Sequence, residues 1–303
     1  MEMGVLAPSY HGRFPLDPLY GTTIDQILPQ SAVVTAVTFA LLPETYAPTI
    51  LEAKARHLRR SKEDRRFKSN LESTLPVKEV FATALIRPLK MLCLSPVILA
   101  LSIFTAISYG YLYLLFTTFP TVFHFQYGFS TGTVGLSYIG LGLGCFLGVV
   151  GCGIVSDRIQ ISRTAKSGKS RPEYRLVPMI YCAICLPIGL LWYGWSAEKQ
   201  THWMVPILGT CIVGIGIMGT FMPPVTYLVD AFTMYAASAL AAAAVLRSVL
   251  GGLLPLTGGG VYQRLGLGWG NSLLALIALG MVPIPIVLER YGERLRKRFD
   301  VKF

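Results

Sequence analysis

Six apolar runs, each about as long as a bilayer is thick, constrain this chain more than anything else in it. Crossing a hydrocarbon core of about 30 Å takes roughly 20 mostly apolar residues in a helix. Segments at roughly 96–120, 131–155, 176–196, 204–228, 234–257 and 270–288 reach that length. Inside lipid a backbone must satisfy its own hydrogen bonds, so such runs fold as helices or close into a barrel. Their length and lack of strict alternation predict an all-α integral membrane protein. A content of 53% hydrophobic and 14% charged residues, outside the usual range for soluble domains, agrees.

The remaining segments are organised around these spans. Residues 1–26, with Pro8, Pro15 and Pro18, read as a leader without packed structure or the features of a secretory signal. Residues 27–43 hold a shortened apolar run interrupted by Pro29 and Gln30, a marginal membrane helix. Residues 44–92 form a basic connector, and 93–289 carry the six-helix bundle, followed by a basic tail at 290–303. Lys and Arg number eleven in the connector, six in the loop 157–175 and six after Leu288, whereas the alternate loops offer only Lys199 and Arg264. This bias places the connector, that loop and the tail together in the cytoplasm. The net charge of +11 is spread between apolar runs rather than over one patterned surface, which argues against a nucleic-acid partner. The lipid bilayer is the partner it implies.

The spans contain few groups capable of chemistry. Four histidines lie in the leader, the connector or at span ends, and no carboxylate falls in the middle of a span. No metal set, cofactor site or nucleophile–base cluster is visible, so an enzyme is not expected. The six cysteines sit in or beside apolar runs; Cys182 and Cys185 have C-x-x-C spacing without the second pair that a metal site needs. Arg247 stands midway along an apolar run, and intramembrane charges usually face a protein interior or a wet cavity. It is either held by carbonyls and hydroxyls, or meets a polar or anionic substrate, or pairs with a region absent from the chain. Tyr109, Tyr113 and Phe116 share one helix face. Gly140, Gly144, Gly148 and Gly151 form a stripe for close helix packing. Asp230, shortly before a new helical run, suits an N-terminal cap, with gating as the alternative. Gly153, Asp157 and Arg158 make a G-x-x-x-D-R motif at the cytoplasmic end of a span.

Several stretches together resemble the major facilitator superfamily, in particular fungal drug:proton antiporters: LPETYAP at 42–48, YGYLYLLFTTFP at 109–120, GIVSDR at 153–158, YLVDAFTMYAASALAAAAVLRSVLGGLLPL at 227–256, LGLGWGNSLLALIAL at 265–279 and PIPIVLERYGERLRKR at 283–298. The resemblance implies the C-terminal six-helix half of a twelve-helix carrier, preceded by a remnant of helix six and the central loop, with the N-terminal half absent. It implies efflux of drugs, toxins or secondary metabolites by proton antiport across the plasma membrane, weak or lost in a chain with one half only. Tyr109, Tyr113, Phe116 and Arg247 would then line a substrate cavity. Gly153, Asp157 and Arg158 would belong to a cytoplasmic lock. Ala241–Ala244 depart from the family pattern, where one or two polar residues are expected. A non-transporting membrane fragment that associates with another half or regulates a full-length carrier is the alternative function.

Overall fold

The computed structural model describes residues 18–41, 47–62, 77–169 and 171–299. It divides into two compact units, Met1–Pro76 and Val77–Phe303. The first unit contains α1 (Pro18–Leu41), a single helix through Pro29, and α2 (Ala47–Lys62), which carries an Arg56–Glu52 pair at 3.6 Å. Residues 18–26, expected in the unpacked leader, are thus helical. Residues 1–17, most of LPETYAP and the middle of the connector lie outside the described residues.

The second unit opens with α3 (Val77–Leu94), so the last part of the expected connector is a helix of this unit and packs against the bundle through Met91. It continues with α4 (Pro96–Phe125), a one-turn α5 (Thr131–Val134), α6 (Ser137–Ser167), a 3-10 turn Pro172–Leu176, α7 (Val177–Glu198), α8 (Met204–Ala231), α9 (Ala236–Met281) and α10 (Pro283–Arg298). No strand occurs among the described residues. Among the described residues, five continuous helical stretches are long and apolar enough to cross a membrane, and the last, Ala236–Arg298, contains both final expected spans. The chain is a multi-pass all-α membrane protein.

Boundaries differ from the hydropathy reading in a consistent direction. The second span was expected to end at 155, yet α6 runs to Ser167, turning most of the expected 157–175 loop into helix. Hydropathy marks where lipid stops; a helix continues into water while its residues tolerate helical geometry. At 46 residues and ~1.5 Å per residue, α9 would be about 69 Å long if straight, twice a bilayer. It is interrupted at Gly266, whose φ of 74° and ψ of 177° are not helical.

α8 packs between α6 and α7, α7 also meets α9, and α9 meets α4. The α6–α8 seam depends on missing side chains. A Cβ added at Gly140, Gly144 or Gly148 would lie 2.3, 2.0 or 2.9 Å from the carbonyl oxygens of Ile207, Cys211 and Ile215. Gly151 is not part of this stripe, since a Cβ added there would meet no neighbouring helix within 4 Å. Counting by four from Gly148 leads to Cys152, which is buried and donates to the Gly219 carbonyl at 3.4 Å. Two apolar clusters fill the bundle, one around Tyr111, Phe119, Tyr193 and Val213, the other around Ile98, Phe104, Met179 and Tyr227.

Candidate functional site

Arg247 lies about 17 Å along α9 from Ala236, and Tyr109 about 20 Å along α4 from Pro96, at a rise of 1.5 Å per residue. Both therefore sit near mid-span. The Arg247 guanidinium carbon is 4.9 Å from the Tyr109 ring centroid and 5.1 Å from that of Phe221 on α8. Such contacts contribute about 0.5–2 kcal/mol each, more when dry. No carboxylate among the described residues pairs with Arg247, because none occurs in the sequence between Glu79 and Asp157 or between Asp230 and Glu289, where α4 and α9 run. A cleft of about 350 Å³ opens beside it, lined by Tyr109, Tyr113, Arg247, Ser248, Gly251 and Gly252.

The ring of Tyr113 is 5.4 Å from that of Tyr109, Phe116 is 6.3 Å further, and Tyr138 of α6 stands 5.7 Å from Phe116. These rings form a ladder along α4, since steps of four, three, four and four residues from Tyr109 through Tyr113, Phe116 and Pro120 to His124 keep to one face. The last two line a second, mostly apolar cavity of about 550 Å³ together with Tyr138. The structure thus brings together Tyr109, Tyr113 and Arg247, with Phe116 as the next rung. Phe221 escaped the sequence reading because nothing local links it to α4 or α9.

At the basic end, Asp230 does not cap α9. It belongs to the last turn of α8, which extends to Ala231, and the N-cap position of α9 is Tyr235, without a side-chain cap. Its carboxylate instead accepts from Nε of Arg175. The same guanidinium reaches Asp157 through Nη1 at 3.3 Å, so Arg175 joins the polar third of α6 to the end of α8. Two residues earlier, Glu173 is buried and pairs with Nη2 of Arg296 at 3.4 Å, while Nη1 of Arg296 donates to the Ala231 carbonyl at 3.2 Å. The 3-10 turn therefore ties α6, α8 and α10 together. Arg163 binds Glu289 at 2.6 Å, and Glu293 accepts from Lys297 at 2.7 Å and pairs with Arg171 at 3.2 Å. The hydrogen bond from Lys297, then the charges of Lys297 and Arg171, hold the Glu293 carboxyl below its ordinary range. A Cβ added at Gly153 would meet no neighbouring atom within 4 Å, and Arg158 is exposed. Of the G-x-x-x-D-R motif, only Asp157 joins this clasp. Glu173, Arg175 and Arg296 were missed; a pair of charges flanking Tyr174 after Pro172 was the available signal.

At the opposite end, Glu198 of α7 accepts from the backbone N–H groups of Leu267 and Gly268 at 2.8 and 3.0 Å. It caps the helix that restarts after Gly266. A carboxylate suits this place, where unpaired N–H groups carry the positive end of the helix dipole.

Comparison with known proteins gives a consistent answer. The sequence pattern of the Major Facilitator Superfamily matches residues 30–255. The chain is similar to the MFS-type transporter atr4 of Stereocaulon alpinum, with 52% identity over 87% of this chain and 48% of the relative. It is similar to the MFS-type transporter penM of Penicillium rubens, with 48% identity over 90% of this chain and 54% of the relative. To the MFS-type transporter phm3 of Pyrenochaetopsis it shows 46% identity over 91% of this chain and 57% of the relative. The chain spans about half the length of these curated relatives. No solved structure matches it.

Proposed function

The chain belongs to the major facilitator superfamily, and on that premise we propose that it forms one wall of an efflux path for small, largely apolar metabolites or drugs, driven by proton antiport at the plasma membrane. Relatives are named as transporters rather than enzymes. The observation that carries the proposal is the mid-span cleft: a guanidinium held against two aromatic rings, with no acidic partner among the described residues, beside Tyr113 and Ser248. Ring faces offer an apolar body contact area, and the Arg247 donors orient its polar acceptor. The α4 ladder continues this surface to the cavity at His124, where a guest is released.

In this reading the opposite wall comes from a second six-helix half, and the two rock around the site. The basic-end clasp of Asp157, Arg175 and Asp230 holds one of the two states. Dye or polyamine export from proteoliposomes under an imposed proton gradient tests the proposal, with the chain alone and together with a second half. Export is expected to need the second half and the gradient, and to fall with Tyr109→Ala and Arg247→Ala. Arg247→Lys separates roles, since a lysine keeps the charge but not the planar donor fork. Gradient-dependent export by purified monomer, or export unchanged by both alanine variants, would overturn it.

A further inference from the structure

A cavity of about 440 Å³ lies at the basic end, outside the cleft and outside the Asp157–Arg175–Asp230 clasp, between the segment before α7 and the polar part of α10. Glu173, Glu289 and Glu293 contribute to its wall, which at first sight disfavours an anion. Each is already engaged: Glu173 by Arg296, Glu289 by Arg163, and Glu293 by Lys297 and Arg171. Arg290 and Arg294 line the same cavity, are exposed, and have no carboxylate partner among the described residues. One helical turn apart, they project from the same face of α10. With Glu173 and Glu289 matched by Arg296 and Arg163, and Glu293 shared by Lys297 and Arg171, the guanidinium groups of the wall without a carboxylate partner among the described residues are Arg290 and Arg294.

The apolar run of α10 ends at Leu288, before the charged stretch that begins with Glu289 and Arg290, and Tyr291 is half exposed within the cavity wall along with Tyr174. Tyrosines at this level are typical of the headgroup layer, where the ring is in contact with lipid and the hydroxyl with water. The cavity thus opens at the depth where lipid phosphates lie.

We propose that Arg290 and Arg294, beside the Glu293-paired Arg171, form a binding site for a phosphomonoester group, carried by an anionic lipid headgroup at the basic face of the membrane. Guanidinium forks match phosphate oxygens in pairs, which an ammonium cannot do. The shared chemistry is phosphate, and its source is either the lipid or a soluble phosphate.

The full chain in phosphatidylcholine nanodiscs, with and without phosphatidylinositol 4-phosphate, distinguishes these sources when compared with inorganic phosphate added to the pure phosphatidylcholine discs. Retained lipid is read by native mass spectrometry and affinity by thermal-shift titration. Expected is retention of the phosphoinositide, with Arg290→Gln plus Arg294→Gln weakening it about fivefold per arginine, roughly 25-fold together. Lys166→Gln plus Lys169→Gln removes equal charge from exposed positions on the same end and is expected to change affinity little. An equal loss in both pairs would mean a diffuse basic surface, and the site would be rejected. Stabilisation by inorganic phosphate alone, without lipid retention, would overturn the lipid assignment. Unchanged retention in the arginine pair, with the fold intact by circular dichroism, would overturn the whole proposal.

Discussion

Substituting Gly266 with alanine tests the break in α9 directly. At φ 74° and ψ 177° this residue occupies a region essentially restricted to glycine, where any other residue costs about 1–3 kcal/mol. An added Cβ would also lie 3.1 Å from both carboxylate oxygens of Glu198, the group that caps Leu267 and Gly268. Displacing that carboxylate sacrifices a cap, which adds about 1 kcal/mol. Gly266→Ala is therefore expected to destabilise by about 2–4 kcal/mol. Glu198→Ala, which removes the cap alone, is expected to cost about 1 kcal/mol. In the double variant the carboxylate is already gone, so neither the clash nor the cap loss is counted twice. The combined cost should fall short of the sum by about 1 kcal/mol. Reversible unfolding in mixed micelles, followed by circular dichroism against added SDS, measures all three. A neutral Gly266→Ala, or strict additivity with Glu198→Ala, would refute the view that a capped glycine break separates the two spans.

Further outcomes follow from the packing and charges. Gly144→Ala would place a Cβ 2.0 Å from the Cys211 carbonyl oxygen, a backbone atom that cannot swing aside, so α6 and α8 must part at about 1–3 kcal/mol. Gly142→Ala, with nothing within 4 Å, should be neutral or gain about 0.5–1 kcal/mol in the same SDS titration. Arg175→Ala with Asp230→Ala in a double-mutant cycle should give a coupling of about 1 kcal/mol or less, because both groups remain partly exposed; a coupling above about 3 kcal/mol would contradict that exposure. For Glu293, whose folded pKa is depressed, the ion-pair contribution is complete above the unfolded carboxylate value and is lost as pH falls through the lowered folded pKa. Glu293→Gln should flatten that acid limb of the stability profile, and an unchanged limb would assign it elsewhere.

Hydropathy was enough for the membrane class and the number of apolar runs, because a bilayer imposes one length on every span. It was not enough for helix ends. α6 continues through Asp157 and Arg158 to Ser167, where the residues favour water but not a turn. Arg247 and the α4 tyrosines were legible because a lone charge in an apolar run and a repeat of three to four residues are local signals. Phe221, Glu198, Arg175 and Arg296 were not, since each acts through a partner on another element. Asp230 shows the error in its plainest form: its neighbours in sequence suggested a cap, whereas its neighbour in space is Arg175.

The five residues Pro172–Leu176 carry Glu173 and Arg175 two positions apart in one tight turn. Because they share so short a piece of backbone, neither can withdraw independently: a shift that frees Asp230 drags on Arg296 as well. Release of the three helices should accordingly be concerted, and an inserted residue or a cut within this turn would undo every one of its attachments in a single event.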